Sequence, residues 1–232
     1  MRSINPSNTH TSGDTIPGRI FILEDHPTMR LGIKHLLEEN ACWQVVGESD
    51  QVTEALEMVA ELKPDLVIAD LVLEGKGGLD FLKAALEHQP DLNVLIYSMH
   101  EEKYYAERVL TLGGRGYLMK SSDTQTLLLA VEQLLAGQVY LSQAMSRLVL
   151  DRLSGRPRKV QAVASPLQRL TDRELEILNW IGRAKTSQEI SKLLGISLKT
   201  VETHRAHMRQ KLGLNSRHEL IQLAIRWVEH AL

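Results

Sequence analysis

From Arg19 to about Ala136, short unbroken apolar runs alternate with longer stretches whose apolar residues recur every three or four positions. The runs are Arg19–Glu24 (RIFILE), Trp43–Gly47, Asp65–Asp70 (DLVIAD), Asn93–Ser98 (NVLIYS) and Arg115–Met119 (RGYLM), and each reads as a strand. A helix is expected after the first run, with Leu31, Leu36 and Leu37 on its apolar stripe. Further helices are expected at Val52–Leu62 (stopped by Pro64), Leu79–His88, Lys103–Leu112 and Thr124–Ala136. Short continuous apolar strands between amphipathic helices predict an α/β domain, a doubly wound five-stranded parallel sheet.

Beyond Leu170 the strand pattern stops. Thr171…Glu174, Thr186…Glu189 and Ser216…Glu219 each have the Ser/Thr-x-x-Glu spacing of a capping box, and Ser197 is a further N-cap. They predict an all-α four-helix domain with helices at about 172–183, 187–194, 198–212 and 216–229. Ser142–Leu153 also reads as helical, whereas Ser154–Lys159 and Ala164–Pro166 carry breakers and charge. The expected organisation is a disordered extension at 1–17, a first domain at 18–140, a partly helical linker at 141–166 and a second domain at 167–232.

Charge separates the same two parts. Residues 156–232 carry 14 Lys and Arg against 7 Asp and Glu, a charge of +7; residues 1–155 carry 13 against 22, a charge of −9, which together make the net −2. A small basic domain suits a polyanion, most simply nucleic acid. The single cysteine, Cys42, excludes an internal disulfide framework and a multi-cysteine zinc site. No apolar run approaches the ~20 residues of a membrane span. The polar first 18 residues contain no apolar secretory core, so a cytoplasmic protein is expected.

In an open parallel sheet, function gathers at the carboxyl ends of the strands. There the sequence places Glu24 and Asp25 after the first strand, Asp70 after the third, Ser98 after the fourth and Lys120 after the fifth. Each alone is a common turn, cap or surface residue. Together they form a set of oxygen donors suited to Mg²⁺, an acceptor carboxylate, and a hydroxyl and ammonium placed to hold phosphoryl oxygens.

Residues 19–140 resemble, in order and spacing, the receiver domains of two-component response regulators, which have a flavodoxin-like fold. The resemblance makes Asp70 the phosphoacceptor and Glu24, Asp25 and Asp70, with the backbone carbonyl of Val72, the Mg²⁺ site. It makes Ser98 and Lys120 the phosphoryl-binding pair and Tyr117 an aromatic switch that turns inward. Gly113–Lys120 (GGRGYLMK) is very like the Gly-Ala-Arg-Gly-Tyr segment of that family. The chain departs from the pattern at Glu24, where Asp is commonest, at Glu74, where Pro is frequent, and at Met99, where Ala is usual. Val72 and His100 stand where side chains tune phosphoryl lifetime.

In the second domain, Ser191, Gly195 and Val201 have the spacing of a helix-turn-helix: a small residue for close helix approach, a turn glycine and a buried β-branched residue. On a helical wheel of the following helix, Val201, Met208 and Leu212 form the packed stripe. Lys199, Thr203, Ala206 and Gln210 face outward, flanked by Glu202, His207 and Arg209. The segment at 168–230 resembles the LuxR-type DNA-binding domain through LTxRExEIL at 170–178, Glu189-Ile190, Ile196-Ser197, TVxTH at 200–204, Lys211-Leu212-Gly213 and Arg217-x-Glu219-Leu220. The resemblance implies a DNA-facing set of Ser197, Lys199, Thr200, Glu202, Thr203, His204, Arg205, Ala206, Arg209 and Lys211. Glu202 is expected either to pair with Arg205 or Arg209 or to accept from a cytosine amino group. The last helix has apolar residues to spare, for the core or for a dimer.

The two resemblances combine as a NarL/FixJ-type response regulator, a transcription regulator rather than an enzyme. A sensor histidine kinase would phosphorylate Asp70, and homodimers would bind double-stranded DNA. The alternative is a phosphorylation-independent regulator whose receiver serves as a dimerisation scaffold. An aspartyl-phosphate hydrolase is disfavoured, because Val72 stands where such enzymes carry a second Asp.

Overall fold

A computed structural model describes residues 18–73, 75–153 and 166–229. The expected extension at 1–17, Glu74 and the breaker-rich part of the linker at 154–165 lie outside the described residues.

Five strands alternate with five helices in the first part: β1 (Gly18–Leu23), α1 (Pro27–Glu38), β2 (Trp43–Ser49), α2 (Val52–Leu62), β3 (Leu66–Ala69), α3 (Gly78–His88), β4 (Asn93–Ser98), α4 (Glu102–Thr111), β5 (Gly116–Met119) and α5 (Thr124–Leu135). All neighbouring strands are parallel, in the order β2-β1-β3-β4-β5. Alternate residues enter opposite layers, as the period of a strand requires. Phe21, Leu23, Val67, Ala69, Val94 and Ile96 pack on one face, and Ile20, Ile22, Leu66, Ile68, Leu95 and Tyr97 on the other. Because the strands are all parallel, their carboxyl ends share one edge, even though the β1–β2 ladder shifts register between Ile20 and Phe21.

One expectation fails in α1. Leu31 is 68% exposed, whereas Ile33 and Leu37 are buried. At about 100° per residue, Ile33 and Leu37 lie about 40° apart and Leu31 lies on the opposite side. The stripe therefore runs through Ile33, which a count of leucines overlooks.

Gly78, at the start of α3, lies against the site. A Cβ there would be 2.1 Å from the Asp70 carbonyl oxygen and 3.0 Å from Leu71 Cα. Both obstacles are backbone, so the chain must shift to admit a methyl group. Gly78→Ala is expected to destabilise the protein by about 1–3 kcal/mol in urea unfolding; an unchanged midpoint would contradict this packing.

After α6 (Gln143–Leu153) and a short 3₁₀ turn at Pro166–Arg169 come α7 (Asp172–Gly182), α8 (Ser187–Leu193), α9 (Leu198–Leu212) and α10 (Arg217–Glu229). Thr171 and Thr186 cap their helices with reciprocal Glu174 and Glu189 bonds, as expected. At the third box Ser216 accepts from Glu219 N, but the Glu219 carboxylate reaches back to Asn215 N, one residue earlier than the motif predicts. Gly195 supplies the left-handed turn at φ +61°.

The two parts pack against each other. Arg108 of α4 pairs with the Asp172 carboxylate and donates to the Leu170 carbonyl. Trp227 of α10 stacks on His100 with ring centroids 5.0 Å apart, and meets Tyr105 at 6.4 Å and Tyr104 edge-on at 6.3 Å. One apolar cluster runs through this junction from the sheet to α10.

Candidate functional site

The sheet edge brings together the residues its strand ends supply. Glu24, Asp70 and Ser98 are buried. Lys120 Nζ donates to Glu24 Oε2 at 2.6 Å and to Asp70 Oδ2 at 2.8 Å. Burial disfavours the ammonium, but the Asp70 and Glu24 carboxylates more than offset it and hold the Lys120 pKa above its usual value. Burial raises Asp70 to about 6 against the pull of Lys120, and Glu24 adds to the rise. The Val72 amide lies 3.4 Å from Asp70 Oδ1. Ser98 Oγ accepts from His100 N at 3.2 Å.

Ligand atoms of Glu24, Asp25, His26 and Asp70 lie within 4.8 Å of one another, the arrangement a cation would need. The three carboxylates are hard oxygen donors that suit Mg²⁺. Asp25 Oδ1 is buried without a well-formed hydrogen bond, and His26 Nδ1 lies 2.7 Å from it. His26 carries no motif in the sequence, where it reads as the ordinary residue before the helix proline. Tyr117 points inward: it is buried, and its hydroxyl donates to the His100 carbonyl at 2.8 Å.

On α9 the wheel holds. Val201 and Met208 are buried and Leu212 half-buried, while Ser197, Lys199, Thr203, Ala206, His207 and Gln210 are exposed or half-exposed. Ser197 Oγ caps Thr200 N at 3.1 Å. Glu202 does not pair with Arg205 or Arg209. It accepts from Ser187 Oγ at 2.6 Å and Arg217 at 2.9 Å, because its flank of α9 faces α8 and the start of α10. Arg205 donates to the same Ser187 hydroxyl at 2.8 Å. Lys211 Nζ lies 2.6 Å from the buried Glu174 carboxylate and braces α9 against α7. His204 is half-buried; burial lowers its pKa despite the Glu174 carboxylate.

Residues 20–132 match the response regulator receiver domain, and residues 168–224 match the bacterial regulatory proteins of the luxR family. The chain is 33% identical to the response regulator GacA of Pseudomonas aeruginosa over 208 residues, covering 90% of this chain and 95% of that protein. It superposes on RcsB of Salmonella typhimurium with a TM-score of 0.71 at 25% identity, covering 91% of this chain and 98% of that one. RcsB from Salmonella enterica bound to a promoter in the presence of the phosphomimetic BeF3⁻ gives a TM-score of 0.66 at 25% identity, with 89% and 97% covered. The chain belongs to the LuxR-type response regulators.

In this response regulator the edge of strand ends that carries Asp70 also faces the second domain. A cavity of about 680 Å³ is lined by Asp70, Val72, Ser98 and Lys120 from one side and by Asn179, Arg183 and Val228 from the other. Met99 lines it too. Asn179, Arg183 and Trp227 carry no motif in the sequence; their apolar or helical neighbours make them read as ordinary core and surface positions.

His100 makes the junction sensitive to acid. Burial, then the nearby Arg183 charge, lower its pKa to about 4, and the Asn179 side chain opposes the shift. A group depressed in the packed state contributes stability above its ordinary pKa of 6.5 and loses it as the pH falls towards 4. Between pH 7 and pH 5 the wild type should lose about 2 kcal/mol that a His100→Phe protein does not. Glu176, raised to about 7 by burial against the pull of Arg173, changes in the opposite sense. Comparing the two proteins at each pH by thermal unfolding isolates the histidine; parallel pH curves would contradict its burial.

Proposed function

We propose that this response regulator is a phosphorylation-controlled DNA-binding transcription regulator, with Asp70 as the acceptor. The observation that carries the reading is that α7 and α10 of the DNA-binding part roof the cavity over Asp70, Ser98 and Lys120. A phosphoryl group on Asp70 then acts directly on the junction between the domains.

In the transfer, an Asp70 oxygen forms the new P–O bond as the donor's P–N or P–O bond breaks; the leaving group is a kinase imidazole or a small carboxylate. Lys120 and Ser98 hydrogen-bond the incoming phosphoryl oxygens. Glu24, Asp25 and Asp70, with the Val72 carbonyl, would hold Mg²⁺, which supplies charge neutralisation on those oxygens. The added charge, about −1.5 to −2, and the oxygens draw Lys120 and Ser98 from their present partners. This disturbs His100 and the Trp227 stack.

Closure leaves the outward face of α9 exposed, so phosphorylation does not act by uncovering it. It acts by releasing α10, which the receiver holds through Trp227, for contact with a second copy. Homodimers then place two α9 helices on half-sites about one turn of double-stranded DNA apart. A sensor histidine kinase supplies the phosphoryl group, and the protein works in the cytoplasm.

Intact-mass analysis after incubation with acetyl phosphate and Mg²⁺ tests this. The wild type should gain one phosphoryl group and Asp70→Asn none. A gain in both would remove Asp70 as acceptor. No gain in the wild type with either acetyl phosphate or a kinase, together with intact DNA binding, would favour the scaffold reading.

A further inference from the structure

The cavity over Asp70 is larger than phosphoryl chemistry requires. It measures about 680 Å³, whereas a phosphoryl group with a partly hydrated cation fills about 200 Å³, at about 30 Å³ per water-sized group. The whole space falls in the range of small-molecule pockets, about 300–1,000 Å³.

Its walls hold polar atoms without well-formed hydrogen bonds. Asn179 is 1% exposed, and both its Oδ1 and its Nδ2 are in that condition. Nδ1 of His100, 3% exposed, is engaged only loosely, by the Asn179 side chain itself. That contact accounts for one polar atom of Asn179 and leaves the other without a partner, whereas buried polar groups are satisfied as a rule. Lys120 is already shared by two carboxylates. Arg183, by contrast, stands at the rim over the Trp180 ring at 5.4 Å, and no carboxylate pairs with it among the described residues. Met29, Met99 and Val228 make the rest of the lining apolar.

We infer that this chamber binds a small organic carboxylate with an apolar body of one or two rings. Its carboxylate accepts from Arg183 and the Asn179 amide, and its body lies among Met29, Met99 and Val228. Such a ligand touches both domains, so it binds the closed arrangement and stabilises it. It also lies across the approach to Asp70. That last effect rests on the phosphorylation reading above, whereas binding itself does not.

Calorimetric titration of the full chain with 2-naphthoate, and with the uncharged 2-naphthylmethanol, tests the site. One saturable naphthoate site is expected, with at least about 10-fold weaker binding of the alcohol. Arg183→Gln, at an exposed position that should not disturb folding, should remove that preference. Val228→Trp should abolish binding of both probes while the circular dichroism spectrum is kept. Saturating naphthoate should slow acetyl phosphate labelling of Asp70. Absence of saturable binding up to about 1 mM, as in a chamber filled by water, would overturn the inference. So would equal binding of the two probes, or a preference that survives Arg183→Gln. Labelling unchanged at saturation would overturn the placement over Asp70. If the wild type takes up no phosphoryl group even without naphthoate, the phosphorylation reading fails and calorimetry alone decides the site.

Discussion

Replacing Trp227 by alanine is expected to open the protein and raise its affinity for DNA without any phosphodonor. Trp227 is 6% exposed, and its ring stacks on His100 and Tyr105 and meets Tyr104 edge-on. All three partners belong to the receiver, so the truncation removes contacts across the junction. Large-to-small changes of a buried Trp cost about 3–5 kcal/mol. Because part of that ring also packs within α10's own domain, about 3 kcal/mol is assigned to closure, or roughly 100-fold in the closed-to-open ratio. The Arg108 pair with Asp172 is half open to water and contributes less. Small-angle scattering should show a larger radius of gyration, and the unphosphorylated variant should dimerise on DNA at concentrations where the wild type stays monomeric. A wild-type scattering curve would show that the aromatic stack does not hold the domains together.

The second large effect is expected at Lys120. Lys120→Met leaves Glu24 and Asp70 buried side by side without their shared cation. Removing one partner of a buried ion pair costs about 3–5 kcal/mol. At about 2–4 °C per kcal/mol for a chain of this size, the melting midpoint should fall by roughly 10 °C at neutral pH. The loss should depend on pH in a defined sense. Asp70 is already raised to about 6 by burial despite Lys120, and without that cation it rises further. A carboxyl raised in the folded state favours folding at low pH and loses that contribution as the pH rises. The deficit of the variant should therefore shrink below about pH 6. Added Mg²⁺ should restore the midpoint of the variant more than it shifts the wild type, because the carboxylates gain a cation. A deficit indifferent to both pH and Mg²⁺ would mean that the carboxylates do not share one site.

Much of this arrangement is legible in the amino-acid sequence. The strands at Leu66–Ala69 and Asn93–Ser98 are continuous apolar runs because both sheet faces are covered. Parallel strands then force their carboxyl ends, and with them Asp70, Ser98 and Lys120, to one edge. Val201 and Met208 announce the packed side of α9, and Gly195 its turn, since periodicity and left-handed backbone are local properties.

The corrections have physical causes. Residue type alone puts Leu31 inside, although its angular position puts it in solvent. Neighbours on the same helix suggest Arg205 or Arg209 for Glu202, whose actual partners, Arg217 and Ser187, lie outside α9. The pairing of Lys211 with Glu174 of α7 is equally invisible along α9. A single-chain pattern reports whether a side chain is inside or outside. It does not report which distant group it meets.

The junction is the extreme case. His100, Asn179 and Trp227 look like any buried residues of their own domains, and the pattern that buries them is the same whether the cover is their own domain or the other. Local periodicity and spacing settle the two folds, the set of polar residues at the strand ends and the packed face of α9, because those follow from backbone geometry within each segment. Which domain faces lie against each other, and hence the cavity shared by Asp70 and Arg183, is set by shape and charge complementarity between residues far apart in the chain, and emerges only when the chain is folded in three dimensions.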